Sequence, residues 1–259
     1  CCLYCFSVDL NMVITPKIFS INKKLICGVS TRAGGVSPEP FGMNLSYKVG
    51  DGEENVTMNR ELFFKRLNIP LTSLAIPSQT HSDHIQNISE AGEYSNCDAL
   101  ITKNKNLFII VTIADCIPIF LYDSRTQAIA AVHAGWRGTE KKILKKTIAK
   151  MHTTFSTETN DLFAYLGPSA RKCCYNVDED VARKFDVKYL IDSEGINYKV
   201  DLIAMNYDML VDAGIGENKI EISEHCTICN TSLFHSYRRD KKLSGRMMAV
   251  IGKKRNGRN

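Results

Sequence analysis

Hydrophobic positions in this chain cluster in short runs broken by turn residues, the pattern of strands more than of long helices. The densest cluster is Leu107 to Thr139, LFIIVTIADCIPIFLYDSRTQAIAAVHAGWRGT. Two apolar, β-rich runs, Phe108–Ile113 and Ile117–Tyr122, flank a polar break at Asp115-Cys116. A turn signal at Asp123-Ser124-Arg125-Thr126 follows, then a third apolar run, Ala128–Val132, which ends at His133. With Ser124-Arg125 at the tip of a hairpin, Asp123 faces Thr126 and Cys116 faces His133, their Cβ atoms roughly 5 Å apart. A thiol and an imidazole so placed suit a nucleophile and its base, or two ligands of one metal. The plain alternative is a buried structural cysteine beside a hydrogen-bonded histidine. The sequence after His133 favours a site: Ala-Gly-Trp-Arg-Gly-Thr interrupts an apolar strand just before a Lys-rich helical stretch.

The rest of the chain reads in the same way. Val13–Ser20 and Leu25–Ser30 are predicted strands around an Asn22-Lys23-Lys24 turn, and Asp51 is expected to cap a helix over Glu53–Leu67. Gln79-Thr80-His81-Ser82-Asp83-His84-Ile85 is strand-like. On a strand His81 and Asp83 share a face that His84 does not, and His81, preceded by Gln79, is the better site candidate. Thr139–Met151 is expected to be one helix capped by Thr139. Helices are also expected over Asp178–Phe185 and Asp201–Ala213, with strands at Leu162–Leu166, Glu221–Ser223, Phe234–Ser236 and Arg246–Ile251. This irregular alternation favours a mixed α+β fold over strict βαβ winding.

Composition narrows the class. A length of 259 residues suffices for a substantial core, and 44% hydrophobic with 24% charged residues is the balance of a soluble globular protein. The net charge of +5 is mild, and much of it lies in the tail Gly252-Lys253-Lys254-Arg255-Asn256-Gly257-Arg258, so no specific nucleic-acid role is expected. No stretch reaches the roughly 20 apolar residues of a membrane span. The ten cysteines do not form a disulfide framework. Cys27, Cys97, Cys116 and Cys226 lie in or beside apolar runs and Cys173-Cys174 are adjacent, a pattern of reduced thiols in a cytoplasmic protein. Cys226-Thr-Ile-Cys229 has CxxC spacing, but with no second CxxC or His pair nearby it is read as structural. The opening Cys1–Asp9 has no basic region, long apolar run or initiator Met. Residues 1–11 are therefore expected to be a disordered or wrongly assigned leader, and residues 12–259 a single domain.

Two further segments bear on chemistry. Ser30-Thr31-Arg32-Ala33-Gly34-Gly35-Val36-Ser37-Pro38 is a Gly-rich loop after a strand, neither a Walker loop nor a dinucleotide fingerprint, in which Arg32 and backbone amides suit an oxyanion. Asp98, at the entry to a strand, is placed to bond backbone or ligand. His81, Cys116 and His133 together make a His2Cys set that leaves a fourth position open, the pattern of catalytic zinc. A blue-copper site would lack an obvious axial Met. Without metal the same residues suit a Cys nucleophile, a His base and an orienting His.

The segments STRAGGVSPEPFGMNLSYKVGD, QTHSDHI, CDALIT, TIADCIPIFLYD, AAVHAGWRGT, LGPSARKCCYNVDEDV and FHSYRRD followed by GRMMAVIG resemble the YfiH-type laccase-domain family. That family is also called polyphenol oxidoreductase, purine nucleoside phosphorylase and peptidoglycan editing factor. The resemblance runs in order from about Ser30 to Gly252. It implies a four-layer α/β/β/α fold with mixed sheets, shared distantly with a bacterial toxin's cysteine-hydrolase domain. It also implies a catalytic or zinc-binding set of His81, Cys116 and His133, with copper as the other metal, and a phosphate contact at Arg32. The substrate- and phosphate-binding candidates are then Arg32, Asn44, Gln79, Asp98 and Arg137. The implied activities are phosphorolysis of adenosine, inosine, guanosine and methylthioadenosine, and adenosine deamination, in a monomer or weak dimer. A cysteine-dependent hydrolase of peptidoglycan precursors and a copper-dependent polyphenol oxidase are the rival activities. The run Cys173-Cys174-Tyr175-Asn176-Val177 departs from a family pattern that often has a single Cys before Tyr.

Overall fold

The computed structural model describes residues 12–193 and 197–254; the expected leader and the last five residues lie outside them. Two six-stranded mixed sheets dominate. The first runs Val13–Ile14, Leu25–Ser30, Met247–Lys253, Phe108–Ile113, Leu74–Pro77, Gly92–Tyr94, antiparallel through its first three pairings and parallel through the last two. The second runs Ile220–Ile222, Leu162–Leu166, Ile117–Asp123, Ile129–Ala134, Ala99–Thr102, Ile85–Asn87, antiparallel at its centre and parallel at both edges. A small antiparallel sheet joins Asn176–Val177, Asn197–Val200 and Leu190–Ser193.

Side-chain alternation on the central strands builds the layers. Ile109, Val111, Ala249 and Ile251 of the first sheet meet Phe120, Tyr122, Ile129 and Ala131 of the second in a core between the sheets. The opposite face of the first sheet, with Phe108, Ile110, Met248 and Val250, packs on Phe63 and Phe64 of the helix Glu53–Arg66. The opposite face of the second, with Ile117, Ile119, Leu121, Ala130 and Val132, packs on the helices Ile143–Phe155 and Leu202–Asp212. The chain is therefore a mixed α+β fold of four layers, α/β/β/α. Because both faces of each sheet are covered, the central strands are apolar on both sides, which is why they read as continuous runs.

Several local expectations give way. The hairpin turn is longer than the two-residue tip: Asp123 faces Ala128, and its carboxylate accepts from Arg125 N and Thr126 N, while Gln127 takes a left-handed φ of 65°. The register shifts by two, so Pro118 pairs with His133 and Ile117 with Ala134. A two-residue shift keeps every side chain on its face, and Cys116 becomes a diagonal neighbour of His133. Val13–Ser20 is strand only at Val13–Ile14, with a 3-10 turn over Ile18–Ile21. The helix expected over Thr139–Met151 is two, Trp136–Glu140 and Ile143–Phe155, separated at Lys142 with φ 60°. Thr139 caps nothing; it is buried and its hydroxyl accepts from Asn206. Asp51 does not cap the helix that follows, whose cap position is Gly52; it accepts instead from Ser37 and Asn44. The helix over Asp178–Phe185 shortens to Glu179–Ala182, and Phe234–Ser236 is not a strand, since Ser236 caps Tyr237–Asp240 by accepting from Arg239 N.

Candidate active site

Cys116 stands just before strand Ile117–Asp123, and His133 near the end of the paired strand Ile129–Ala134, on the face of Ile129 and Ala131 that looks between the sheets. Asp115 holds the turn that presents Cys116. It has φ 93°, and its carboxylate accepts from Thr227 Oγ1 at 2.7 Å and Arg238 N at 2.7 Å. His81 comes from a loop, not the expected strand, and its own φ is 58°. His81 Nε2 lies 3.9 Å from Cys116 Sγ, the two imidazole rings are 5.0 Å apart at 76°, and the three donor atoms lie within 4.8 Å of one another. Gly135 makes this approach possible. A Cβ there would stand 2.9 Å from Cys116 Sγ and 3.2 Å from His81 Cδ2.

Asp98 organises both histidines. Its carboxylate is fully buried and accepts from His133 Nδ1 at 2.8 Å, from the backbone of Thr80, His81 and Ser82, and from the Ser82 hydroxyl. Burial opposes its charge, but the bonds from His133 and Ser82 hold it well below the usual carboxylate range. The anion keeps the proton on His133 Nδ1 and leaves Nε2 as ligand or base. Burial likewise opposes ionisation of Cys116, yet the charge and hydrogen bond of His133, with help from His81, bring the thiol from 9.0 down to about 6. For His133, burial works against protonation, while Cys116 and Asp98 raise it from 6.5 to about 9. Without a metal both shifts run toward a thiolate on Cys116 and a proton on His133.

The three residues line a cleft of about 760 Å3. Gln79, bonded to the backbone of Thr112 through both ends of its amide, and Arg137, stacked on Trp136, share its wall. Three other sequence candidates lie elsewhere. Arg32 pairs with Glu39 at 2.6 Å and donates to the Pro40 and Thr231 carbonyls, outside the cleft lining. Asn44 is buried against Asp51, Ser46 and Arg246 N. Asp98 is not in the cleft wall; both its oxygens accept from the donors given above, which position the two histidines. His84 bonds the Asn96 carbonyl away from the cleft. The cleft wall also holds residues that the sequence reading missed: Arg60, Arg238 and Arg246, with Tyr47, Tyr175 and Tyr237. Arg60 sits within the charged helix Glu53–Arg66 and looks like any surface arginine. Arg246 had a signal, being a lone cation at the mouth of a wholly buried strand. A second hollow, about 740 Å3 around Ser89, Lys103 and Asn104, has no imidazole or thiol in its wall.

Residues 26–254 match the family described as multi-copper polyphenol oxidoreductase laccase. The chain is 34% identical over 250 residues to purine nucleoside phosphorylase YlmD of Bacillus subtilis, covering 90% of each chain. This chain belongs to the YfiH-type laccase-domain family. Another family member, a purine nucleoside phosphorylase of Haemophilus influenzae, is 31% identical over 90% of this chain and 96% of its own. Two solved structures of the family share the architecture. YlmD of Geobacillus stearothermophilus has a TM-score of 0.87 at 29% identity, covering 93% of this chain and 94% of that one. YfiH of Bacillus licheniformis has 0.83 at 32%, covering 89% and 93%. No helix among the described residues is long and apolar enough to cross a membrane.

Proposed function

We propose that this laccase-domain protein is a purine nucleoside phosphorylase acting on adenosine, inosine, guanosine and methylthioadenosine, with adenosine deamination at the same site. The observation that carries this reading is one cleft in which arginines and aromatic rings surround the His81, Cys116 and His133 group. Its volume suits a nucleoside with phosphate. The names of the relatives favour the same reading. Arg60, Arg137, Arg238 and Arg246 supply charge for phosphate, and Tyr175, Tyr237 and Trp136 supply faces for a purine.

In phosphorolysis a phosphate oxygen bonds to C1′ as the bond from C1′ to the purine nitrogen breaks and its electron pair leaves with the base. The arginines hold and orient the phosphate, and the His-Cys-His group assists the departing base. The donor set fits zinc: two imidazole nitrogens and one thiolate, three protein ligands of the kind that leave a fourth position for water or substrate. Zinc held there by His81, Cys116 and His133, with copper as the alternative ion, would supply Lewis acidity toward substrate. Asp98 fixes the tautomer this requires. A cytoplasmic setting, where thiols stay reduced, suits Cys116 and the other free cysteines, in a monomer or weak dimer.

The low Cys116 thiol beside His133 favours a second reading, a cysteine-dependent hydrolase. Turnover of inosine with and without phosphate, read by chromatography for hypoxanthine and ribose 1-phosphate, separates the two. Phosphate-dependent product that disappears in Cys116→Ala is expected. Full activity in that variant, or product indifferent to phosphate, would overturn the phosphorylase assignment. Turnover of phenols requiring copper and oxygen would point to an oxidase.

A further inference from the structure

A second convergence of metal-ligating atoms lies outside the His-Cys-His group. Cys173 and Cys174 follow strand Leu162–Leu166, while Cys226 and Cys229 follow strand Ile220–Ile222, its parallel neighbour. The loops after these two strands are stitched together: Ser169 pairs with Cys226 in a parallel bridge, Thr227 N donates to Ser169 O at 3.0 Å, and Arg171 donates to the Ser223 carbonyl. The stitching brings all four sulfurs within 4.8 Å of one another, with Cys174 Sγ 3.0 Å and Cys173 Sγ 3.5 Å from Cys229 Sγ. We propose that Cys173, Cys174, Cys226 and Cys229 form a closed structural zinc site.

The chemistry of the set favours one zinc ion. At a Zn–S bond of about 2.3 Å, sulfurs at the corners of a tetrahedron stand roughly 3.8 Å apart, in the range these four already occupy. Four ligands leave no open position, the mark of a structural ion, and sulfurs this close surround a single ion and leave no room for a multi-iron cluster. A disulfide would join only two of the four and leave two thiols facing it. Backbone N–H groups of Arg171, Ile228 and Cys229 are directed at Cys226, donors suited to a thiolate that a metal keeps ionised. Loading releases the thiol protons, and Arg239 braces the loop from outside by donating to the carbonyls of Thr227 and Ile228 between the two cysteines of the CxxC.

The site would brace the cleft. Tyr175, in the cleft wall, directly follows Cys174 and is covered by the Arg238 guanidinium at 4.4 Å. Thr227, inside the CxxC, donates to Asp115, the residue that holds the strained turn before Cys116. A metal at the four cysteines therefore ties together the loop that carries Tyr175 and the anchor of the Cys116 turn. Adjacent cysteines so far along the chain from a CxxC do not advertise this; only the parallel pairing of two strands makes them one site.

The test uses the full-length chain carrying His81→Ala, Cys116→Ala and His133→Ala together, so that zinc at the other donor set is removed. Purified under reducing conditions with zinc and gel-filtered, this protein should retain about one zinc per chain by mass spectrometry of metals. Adding Cys229→Ser should remove it and lower the thermal midpoint. If that last variant does not fold, cobalt loaded into the protein with all four cysteines decides: intense sulfur-to-cobalt charge-transfer bands and tetrahedral d–d bands support the site. No retained metal with no such bands, a Cys174–Cys229 disulfide in place of metal, or undiminished zinc in the Cys229→Ser protein would overturn it. None of these readouts depends on the nucleoside reaction, so the two proposals fail separately.

Discussion

Asp98→Asn changes almost no volume and removes one charge from a fully buried carboxylate. Oδ1 of Asp98 accepts from His81 N at 3.0 Å and His133 Nδ1 at 2.8 Å; Oδ2 accepts from Ser82 N at 2.6 Å, Ser82 Oγ at 2.7 Å and Thr80 N at 3.2 Å. An amide can accept on one side only, and on the other its NH2 faces donors. Either orientation strips two or three donors of their acceptor in a dry site. Bonds to a charged acceptor contribute about 1.5–3 kcal/mol each, and breaking a buried charged pair costs about 3–5 kcal/mol, so a loss of roughly 4 kcal/mol follows. Against a stability of about 5–15 kcal/mol the protein still folds, with a urea midpoint lowered by about 1 M or more. The histidines also lose their orientation, and zinc affinity at His81, Cys116 and His133 should fall about 10–100-fold. Urea titration and competition with a chelating dye read these separately, the cysteine cluster being left intact. A midpoint within about 0.3 M of the parent together with unchanged zinc affinity would refute the role given to Asp98.

Gly135→Ala places a Cβ 2.9 Å from Cys116 Sγ; phosphorolysis of inosine should drop at least about tenfold in kcat/KM, while overpacking lowers stability by only about 1–3 kcal/mol in thermal unfolding. In metal-free protein the rate of Cys116 alkylation, followed on its own peptide by mass, should rise with pH around a midpoint of about 6, set by His133 and His81 against burial; a midpoint near the ordinary 9.0 would contradict the thiolate–imidazolium pair. His235 is buried with neither ring nitrogen hydrogen-bonded, and burial, then the charge of Arg32, opposed by Asp240, hold it at about 3, below its ordinary 6.5. Its folded form is neutral, so the stability it shares is present above 6.5 and is lost as pH falls toward 3. By pH 5 this amounts to about 2 kcal/mol. His235→Phe should remove that acid sensitivity and leave the neutral-pH midpoint equal or higher; an unchanged acid limb in urea titrations from pH 7 to 5 would show that His235 does not titrate on unfolding.

Much of this protein was legible in its linear order because the relevant physics is local. The runs Phe108–Ile113, Ile117–Tyr122 and Ala128–Val132 are apolar enough to be central strands wherever they pack. The helix expected over Asp201–Ala213 is present as Leu202–Asp212, with Asp201 just before it accepting from Ala204 N. The alternation period of two let Cys116 and His133 remain on one face even though the register moved by two, since a two-residue slip keeps faces while changing partners. Tertiary structure decided what depends on distant atoms. Arg32 is held by Glu39 and the Thr231 carbonyl, and the buried Thr139 hydroxyl by Asn206; Thr231 and Asn206 are partners far along the chain. Arg60 and Arg246 meet in the cleft wall only because the helix Glu53–Arg66 packs on the sheet that holds Met247–Lys253. The four-cysteine cluster exists only because Leu162–Leu166 and Ile220–Ile222 pair in parallel, setting side by side two loops that the chain keeps more than 50 residues apart. Sequence spacing reports neighbours along the backbone, whereas a site is defined by neighbours through space.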